Sequence, residues 1–191
     1  MNAETVDHRK SPARTRVLDT AARLFYAEGV HSVGIDRIIA EAGVAKATFY
    51  HHFPSKDELV RAYLAEQSQA QRTAAAGLPT REPREAVTAL FEFMCRVGVS
   101  PGYRGCSFLN AAAEYPDPAH PVRRVIDEHR AWLRGLFRDL LADDGHPDPR
   151  RTADILVLLR DGIVVGFDLD DPAAVRAAAR EAVTRALAVP S

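Results

Sequence analysis

Two cysteines, two methionines and one tryptophan are all that 191 residues contain of these types. Cys95 and Cys106 are too few for a disulfide framework, and a chain of this length buries enough apolar surface to do without one. Long hydrophobic runs are also missing. The most apolar stretch, Ile155 to Leu169, is broken by Arg160, Asp161 and Asp168, short of the about 18 uninterrupted apolar residues a membrane span requires. The N-terminal MNAETVDHRKSPARTR lacks the apolar segment of a secretory signal, so the expected location is cytoplasmic, with no membrane partner. Nor does charge of one sign predominate. With 25 basic and 26 acidic residues and a net charge of -1, the chain is not one that coats nucleic acid indiscriminately. It has no Gly-rich phosphate loop, nucleophile motif or metal-ligand spacing, so no enzyme activity, catalytic residue, cofactor or metal is expected.

What the sequence has in abundance is helix punctuation. Ser11 and Pro12 read as an N-cap and a first-turn proline, Leu18, Ala21, Ala22 and Phe25 recur at helical spacing, and Gly29 closes the run. Ile35, Ile38, Ile39 and Ala42 form a short apolar stripe ending at Gly43, and a second short segment follows from Ala45 to His52. Ser55 with Glu58 is a capping box opening a helix that runs to Ala76. Pro83 opens a segment with Val87, Leu90, Phe91, Met94 and Val97. A short apolar segment spans Ser107 to Tyr115, and a long amphipathic one follows Pro121. Asp148 with Pro149, and Asp171 with Pro172, start two final helices, read as Pro149 to Leu169 and Pro172 to Val189. The expected class is all-α, with about nine helices and no internal repeat.

The stretch from 43 to 56, GVAKATFYHHFPSK, crowds rings, histidines and lysines into one turn and one short helix. Two short helices joined tightly at Ala42, Gly43 and Val44 satisfy the geometry of a helix-turn-helix. Phe49 and Phe53, four apart, point inward with Val44. Lys46, Ala47, Thr48, Tyr50, His51 and His52 take the other faces, a donor-rich set without a carboxylate. Lys46 can reach a guanine edge or a phosphate, Ala47 a thymine methyl, and the Thr48 and Tyr50 hydroxyls phosphate oxygens. Lys56 sits in the first turn of the next helix, where free N–H groups also favour an anion. His51 and His52 are adjacent and diverge by about 100° on a helix, so they cannot chelate one metal together. Asp57, the nearest acid, is explained by the helix dipole rather than by catalysis. An amphipathic helix with a merely solvated polar face fits the same residues. Upstream, Arg9, Lys10, Arg14 and Arg16 form a basic run without acids, readable either as a solvated tail or as an arm on phosphates.

From Arg14 to Leu64 the chain closely resembles the N-terminal domain of the TetR/AcrR family of transcriptional repressors. The resemblance rests on Ala22-x-x-Phe25, Gly29, Ile38 through Gly43-Val44, and Thr48-Phe49-Tyr50-x-x-Phe53-x-x-Lys56-x-x-Leu59. It departs at Ala45, where many members carry a capping serine, and at Ile39, a site that is often alanine. It implies a flexible arm over 1–10, a three-helix DNA-binding domain over 11–56, a connecting helix over 57–76, and a larger helical effector-binding and dimerisation domain over 77–191. It further implies that the second helix of the motif enters the major groove, with Lys46, Ala47, Thr48, Tyr50 and His52 on bases or phosphates and Lys56 on a phosphate. Arg14, Arg16, Arg37 and His51 complete the expected DNA-binding set, and Gly34 and Asp36 lie near it.

For the larger half, the resemblance implies a homodimer built on the last two helices. Ile155, Leu156, Leu159, Ile163 and Val164 would supply one apolar face, and Gly162 and Gly166 would allow close approach; an intramolecular core accounts for the same face. A cavity for a small, largely apolar effector is expected among Phe91, Met94, Cys95, Phe108, Leu109, Trp132, Leu136 and Phe137, with Asn110, Glu114 and His129 as orienting polar groups; ordinary packing accounts for each of them too. Thiol sensing by Cys95 or Cys106 has only Arg96 and Arg104 nearby in sequence to favour it. The resulting expectation is a dimeric repressor released from a palindromic operator by its effector. The alternative is a small-molecule-binding protein or enzyme that retains a vestigial helix-turn-helix.

Overall fold

The structure, a computed structural model, describes residues 11–78, 80 and 82–188; the expected arm over 1–10 and the expected helix end at Val189 lie outside them. The described residues form nine helices and no strand: α1 (Pro12–Glu28), α2 (Ile35–Ala42), α3 (Lys46–His52), α4 (Lys56–Ala76), α5 (Pro83–Val97), α6 (Ser107–Glu114), α7 (Pro121–Asp143), α8 (Pro149–Leu169) and α9 (Pro172–Leu187). The expected punctuation marks most of these boundaries. The Ser55 hydroxyl accepts from Glu58 N–H at 3.1 Å, while Asp148 and Asp171 accept from Arg151 and Ala174 N–H at 3.1 and 2.9 Å. Ser11 stands at the N-cap of α1 without a side-chain cap; its hydroxyl lies 3.3 Å from His52 Nε2 instead.

The chain divides into two compact units. One comprises the residues through Gln67 together with Ser107–Ile126; the other comprises Ser68–Cys106 and Asp127 onward. This departs from the expected division at residue 77, since α4 and α7 run through both units and α6 belongs with the N-terminal helices.

Within the first unit, Val17, Leu18, Ala21, Leu24 and Phe25 of α1 are buried with Ile38 of α2, Phe49 and Phe53 around α3, and Leu59, Val60, Tyr63 and Leu64 of α4. The reason α6 joins this unit is Glu114. Its two carboxylate oxygens accept from the backbone N–H groups of Val30 and His31 at 2.7 and 2.5 Å, donors in the turn after α1 that have left the helical ladder. Next to it the buried Tyr115 donates to Asp57 Oδ1 at 3.3 Å, and His120 Nε2 lies 3.4 Å from Asp57 Oδ2. Burial and the Asp57 carboxylate hold the Tyr115 phenol well above its ordinary pKa.

The second unit is built on α5, α7, α8 and α9. Phe91 stacks on Phe137 with centroids 5.6 Å apart and planes 16° from parallel. Around this pair lie Leu141, Leu156, Val157, Ile163, Phe167, Ala179, Val183 and Leu187. Gly98 is demanded by proximity: a Cβ there would lie 2.5 Å from the Phe167 ring. A polar network crosses the same unit. The Arg160 guanidinium, only 7% exposed, donates to Cys106 Sγ at 2.8 Å and to Asp161 Oδ1 at 2.9 Å, and Asp161 also takes Arg130 at 2.8 Å. Burial works against both charges, yet Cys106 and Asp161 keep the Arg160 pKa above its usual value, and the two arginines keep Asp161 below its own.

Candidate nucleic-acid interface

The turn between α2 and α3 depends on Gly43, whose φ of 61° places it in the left-handed region, a conformation that a Cβ disfavours. Gly43 N–H donates to Ala40 O at 3.2 Å and Val44 N–H to Ile39 O at 3.3 Å, satisfying carbonyls that α2 leaves unpaired at its end. The chain leaves this turn into α3, which is fixed by two rings: Phe49 and Phe53 are fully buried, with centroids 6.1 Å apart. A seven-residue helix held by such an anchor has its outward face determined. Lys46, Ala47, Tyr50 and His51 are exposed, Thr48 and His52 are half-buried, and none of the seven residues is acidic.

The remaining cations expected at the interface have intramolecular partners to differing extents. Lys46 Nζ lies 3.1 Å from Asp36 Oδ1, and this pairing raises the lysine pKa. Arg37 forks onto Glu28 with bonds of 2.6 and 2.8 Å and onto Glu41 with 2.8 Å. Those bonds lift the Arg37 pKa; they lower Glu28, while Arg23 and then Arg37 lower Glu41. Arg37 thereby bridges the end of α1 to α2, and a direct DNA contact would require it to leave both acids. Arg16 Nε donates to Ala42 O at 3.4 Å, and the Arg14 guanidinium covers the Phe53 ring at 5.1 Å. Lys56 is the first residue of α4, half-buried, with its pKa lowered by burial against the pull of Glu114 and Asp57.

The other expected site residues are distributed over both units. Phe108, Asn110 and Glu114 belong to the first unit and the other expected effector-site residues to the second. Glu114 is engaged by Val30 and His31, and Asn110 is exposed. In the second unit, Phe91 and Phe137 stack on each other and Met94 packs beside them. Trp132 lies under the Arg72 guanidinium at 4.7 Å, and Leu136 is half-buried. His129 Nδ1 lies 3.0 Å from the Ser68 hydroxyl; burial, and then the positive charges of Arg160, Arg72 and Arg130, lower its pKa to about 4. Phe91 and Cys95 are the two expected residues that line a cleft, one formed between α5 and α9.

The residues of the expected dimer face differ in exposure. Ile163 and Gly166 are buried within the unit: Ile163 is part of its core, and a Cβ on Gly166 would stand 3.1 Å from Val175 of α9. Leu159 is half-buried, while Ile155 and Gly162 are exposed. The outward stripe of α8 instead reads Ile155, Leu158, Gly162, Val165 and Leu169, the four side chains being 40%, 69%, 48% and 73% exposed. Their alternating spacing of three and four was present in the sequence.

Among the described residues no His, Cys, Asp and Glu cluster could hold a metal, and no helix is long and apolar enough to cross a membrane. The sequence pattern of the bacterial regulatory proteins of the tetR family matches residues 17–63, from α1 into α4. A TetR-family transcriptional regulator from Streptomyces coelicolor is 46% identical, with 94% of this chain and 96% of that chain superposed at a TM-score of 0.85. A second regulator, from Streptomyces avermitilis, is 32% identical over 92% of this chain and 98% of its own, with a TM-score of 0.81. The HTH-type transcriptional regulator LmrA of Bacillus subtilis is 27% identical over 143 residues, 72% of this chain and 76% of that regulator. The chain belongs to the TetR family of DNA-binding transcriptional regulators. It is a regulator of transcription and not an enzyme.

Proposed function

We propose that the protein is a homodimeric repressor that occupies a palindromic operator in the cytoplasm and leaves it when a small, largely apolar effector binds its helical second unit. The observation that carries this reading is the carboxylate-free outward face of α3, fixed by the buried Phe49 and Phe53. Lys46 and Ala47 meet base edges in the major groove, Thr48, Tyr50, His51 and His52 meet bases or phosphates, and Lys56 meets a phosphate at the start of α4. Arg14 and Arg16 add phosphate contacts from α1. Arg37 acts as the brace that holds α2 in position.

Dimerisation is supported by the exposed stripe of α8. Four large apolar side chains in one line, with Gly162 among them, form a face that a monomer would leave in water. Two copies related by a two-fold axis present two copies of α3, which suits half-sites about 34 Å apart. Release needs a conformation that favours effector over operator, and the coupling equals the difference in effector affinity between the two conformations.

The test is titration of the purified protein against the DNA flanking its own coding region and against a random duplex of equal length, by fluorescence anisotropy at physiological salt. Selective, saturable binding with a stoichiometry of two chains per site supports the reading. Equal binding to both duplexes counts against it.

A further inference from the structure

The cleft between α5 and α9 has a chemistry that neither the DNA-binding face nor the core uses. It measures about 230 Å³ and is lined by Phe91, Cys95, Ala179 and Val183 below and by Arg96, Arg176, Arg180 and Glu92 around the mouth. The four floor residues are all buried. Arg176 and Arg180 are one helical turn apart on α9, so both guanidinium groups serve the same opening. Among the described residues no carboxylate lies within ion-pairing distance of Arg96, Arg176 or Arg180, although the ion pairs among these residues engage ten lysine and arginine side chains, Arg37 and Arg160 among them, and two histidines. Three arginines and one carboxylate, Glu92, thus line a cleft with an apolar floor, the Arg96 guanidinium lying also over the Phe93 ring at 5.8 Å. The positive field reaches that floor: burial raises the Cys95 thiol pKa and Glu92 adds to the rise, while Arg176 and Arg180 oppose it.

We infer that this cleft binds a small amphipathic anion, its apolar body against Phe91, Cys95, Ala179 and Val183 and its carboxylate, sulfonate or phosphate head on Arg176 and Arg180, with Arg96 at the rim. The volume lies just below the range of about 300–1,000 Å³ usual for ligand pockets, which limits the occupant to a medium-length acyl chain or a small aromatic system. Guanidinium groups suit the head because their donors are planar and matched to oxyanions. Glu92 adds selection, since it repels a second negative charge and can accept from a hydroxyl on the ligand. The assignment goes beyond the repressor reading and does not require this ligand to be the effector.

Two probes, octanoate and 1-naphthalenesulfonate, and their neutral counterparts, 1-octanol and 1-naphthol, are titrated calorimetrically into the full-length protein. The expected result is saturable binding of at least one anion at one site per chain, with its neutral counterpart at least tenfold weaker. In the Arg176→Gln/Arg180→Gln variant the anion affinity falls by about tenfold for each arginine removed, and Thr88→Trp, which fills the mouth from an exposed position, abolishes it. All three substitutions are on exposed positions, and unchanged thermal midpoints check that the fold is retained. Absence of saturable binding by both anions, equal affinity for the neutral counterpart, or wild-type affinity in the double arginine variant would overturn the assignment. Operator binding measured on the same preparations keeps the two readings separate. Loss of operator selectivity with anion binding intact refutes the repressor and leaves the cleft, and the reverse result does the opposite.

Discussion

Replacing Glu114 tests whether α6 braces the DNA-binding helices. Its carboxylate holds two backbone N–H groups, Val30 at 2.7 Å and His31 at 2.5 Å. A hydrogen bond to a charged group contributes about 1.5–3 kcal/mol net. Two would give about 3–6 kcal/mol if both donors stayed dry. They do not: His31 is exposed, so water replaces the acceptor there, whereas Val30 is 2% exposed and its N–H is poorly placed for solvent. Glu114→Ala should therefore destabilise the first unit by about 2–3 kcal/mol, and Glu114→Gln, which keeps one neutral acceptor, by about 1 kcal/mol. Because the chain comprises two compact units, a global melting curve is a poor measure of a change confined to one. Amide hydrogen exchange is local and preferable. The Val30 and His31 amides should lose protection by a factor of about 30 or more in the alanine variant, the exchange equivalent of about 2 kcal/mol, with less change in the amides of α8. Operator affinity should fall with it, since the turn after α1 sets the entry to α2. Unchanged protection at Val30 in Glu114→Ala would refute the bracing role.

Three further outcomes are expected. Lys56→Ala and Tyr50→Ala should each weaken operator binding with little change in helical content, and Lys56→Ala should reduce the slope of log affinity against log salt by about 0.9, the loss of one phosphate contact; wild-type affinity in both variants would contradict the interface. Leu158→Lys combined with Leu169→Glu should convert a dimer to a folded monomer in sedimentation, because both side chains point away from the core, and a variant that still sediments as a dimer would place the interface elsewhere. His129 has a folded pKa of about 4 against an ordinary 6.5. The unfolded chain thus takes up the proton first as pH falls, and the contribution is fully present above about pH 6.5 and lost progressively down to about pH 4. The loss amounts to at most about 3 kcal/mol, and a chemical-denaturation series across that window should show it in the wild type and a flatter profile in His129→Gln.

The first unit was largely legible because its determinants are local. Gly43 and the Ser55–Glu58 pair mark boundaries within one turn of themselves, and Phe49 and Phe53 are four apart, so the inward face of α3 follows from helical period alone. The bond from Glu114 to Val30 was not legible. It joins positions 84 apart through a backbone donor, and backbone donors carry no residue signature. On α8 the difficulty was degeneracy. Apolar residues occupy most of the helix circumference from Ile155 to Leu159 and again from Ile163 to Val165, so several stripes satisfy the same period, and only packing against α9 shows that Ile163 and Gly166 point inward while Leu158, Val165 and Leu169 point out. Arg37 has two readings for a related reason: a cation beside the second helix of the motif fits both DNA and a pair of acids, and while Glu41 is its i+4 neighbour on α2, Glu28 comes within reach only through the turn between α1 and α2.

The ion pairs on this face bear on how the regulator searches a chromosome. Lys46 already holds Asp36, and Arg37 already holds Glu28 and Glu41. On the proposed reading, an arbitrary stretch of duplex, offering little beyond phosphate charge, would exchange one acidic partner for another at Lys46 and gain little. A stretch that also presents the right base edges and methyl groups gains contacts the carboxylate could never supply. If α3 reads the operator as proposed, the pre-paired face would shorten each stay on the wrong sequence, and dwell time, more than attraction, would distinguish the operator from the rest of the genome.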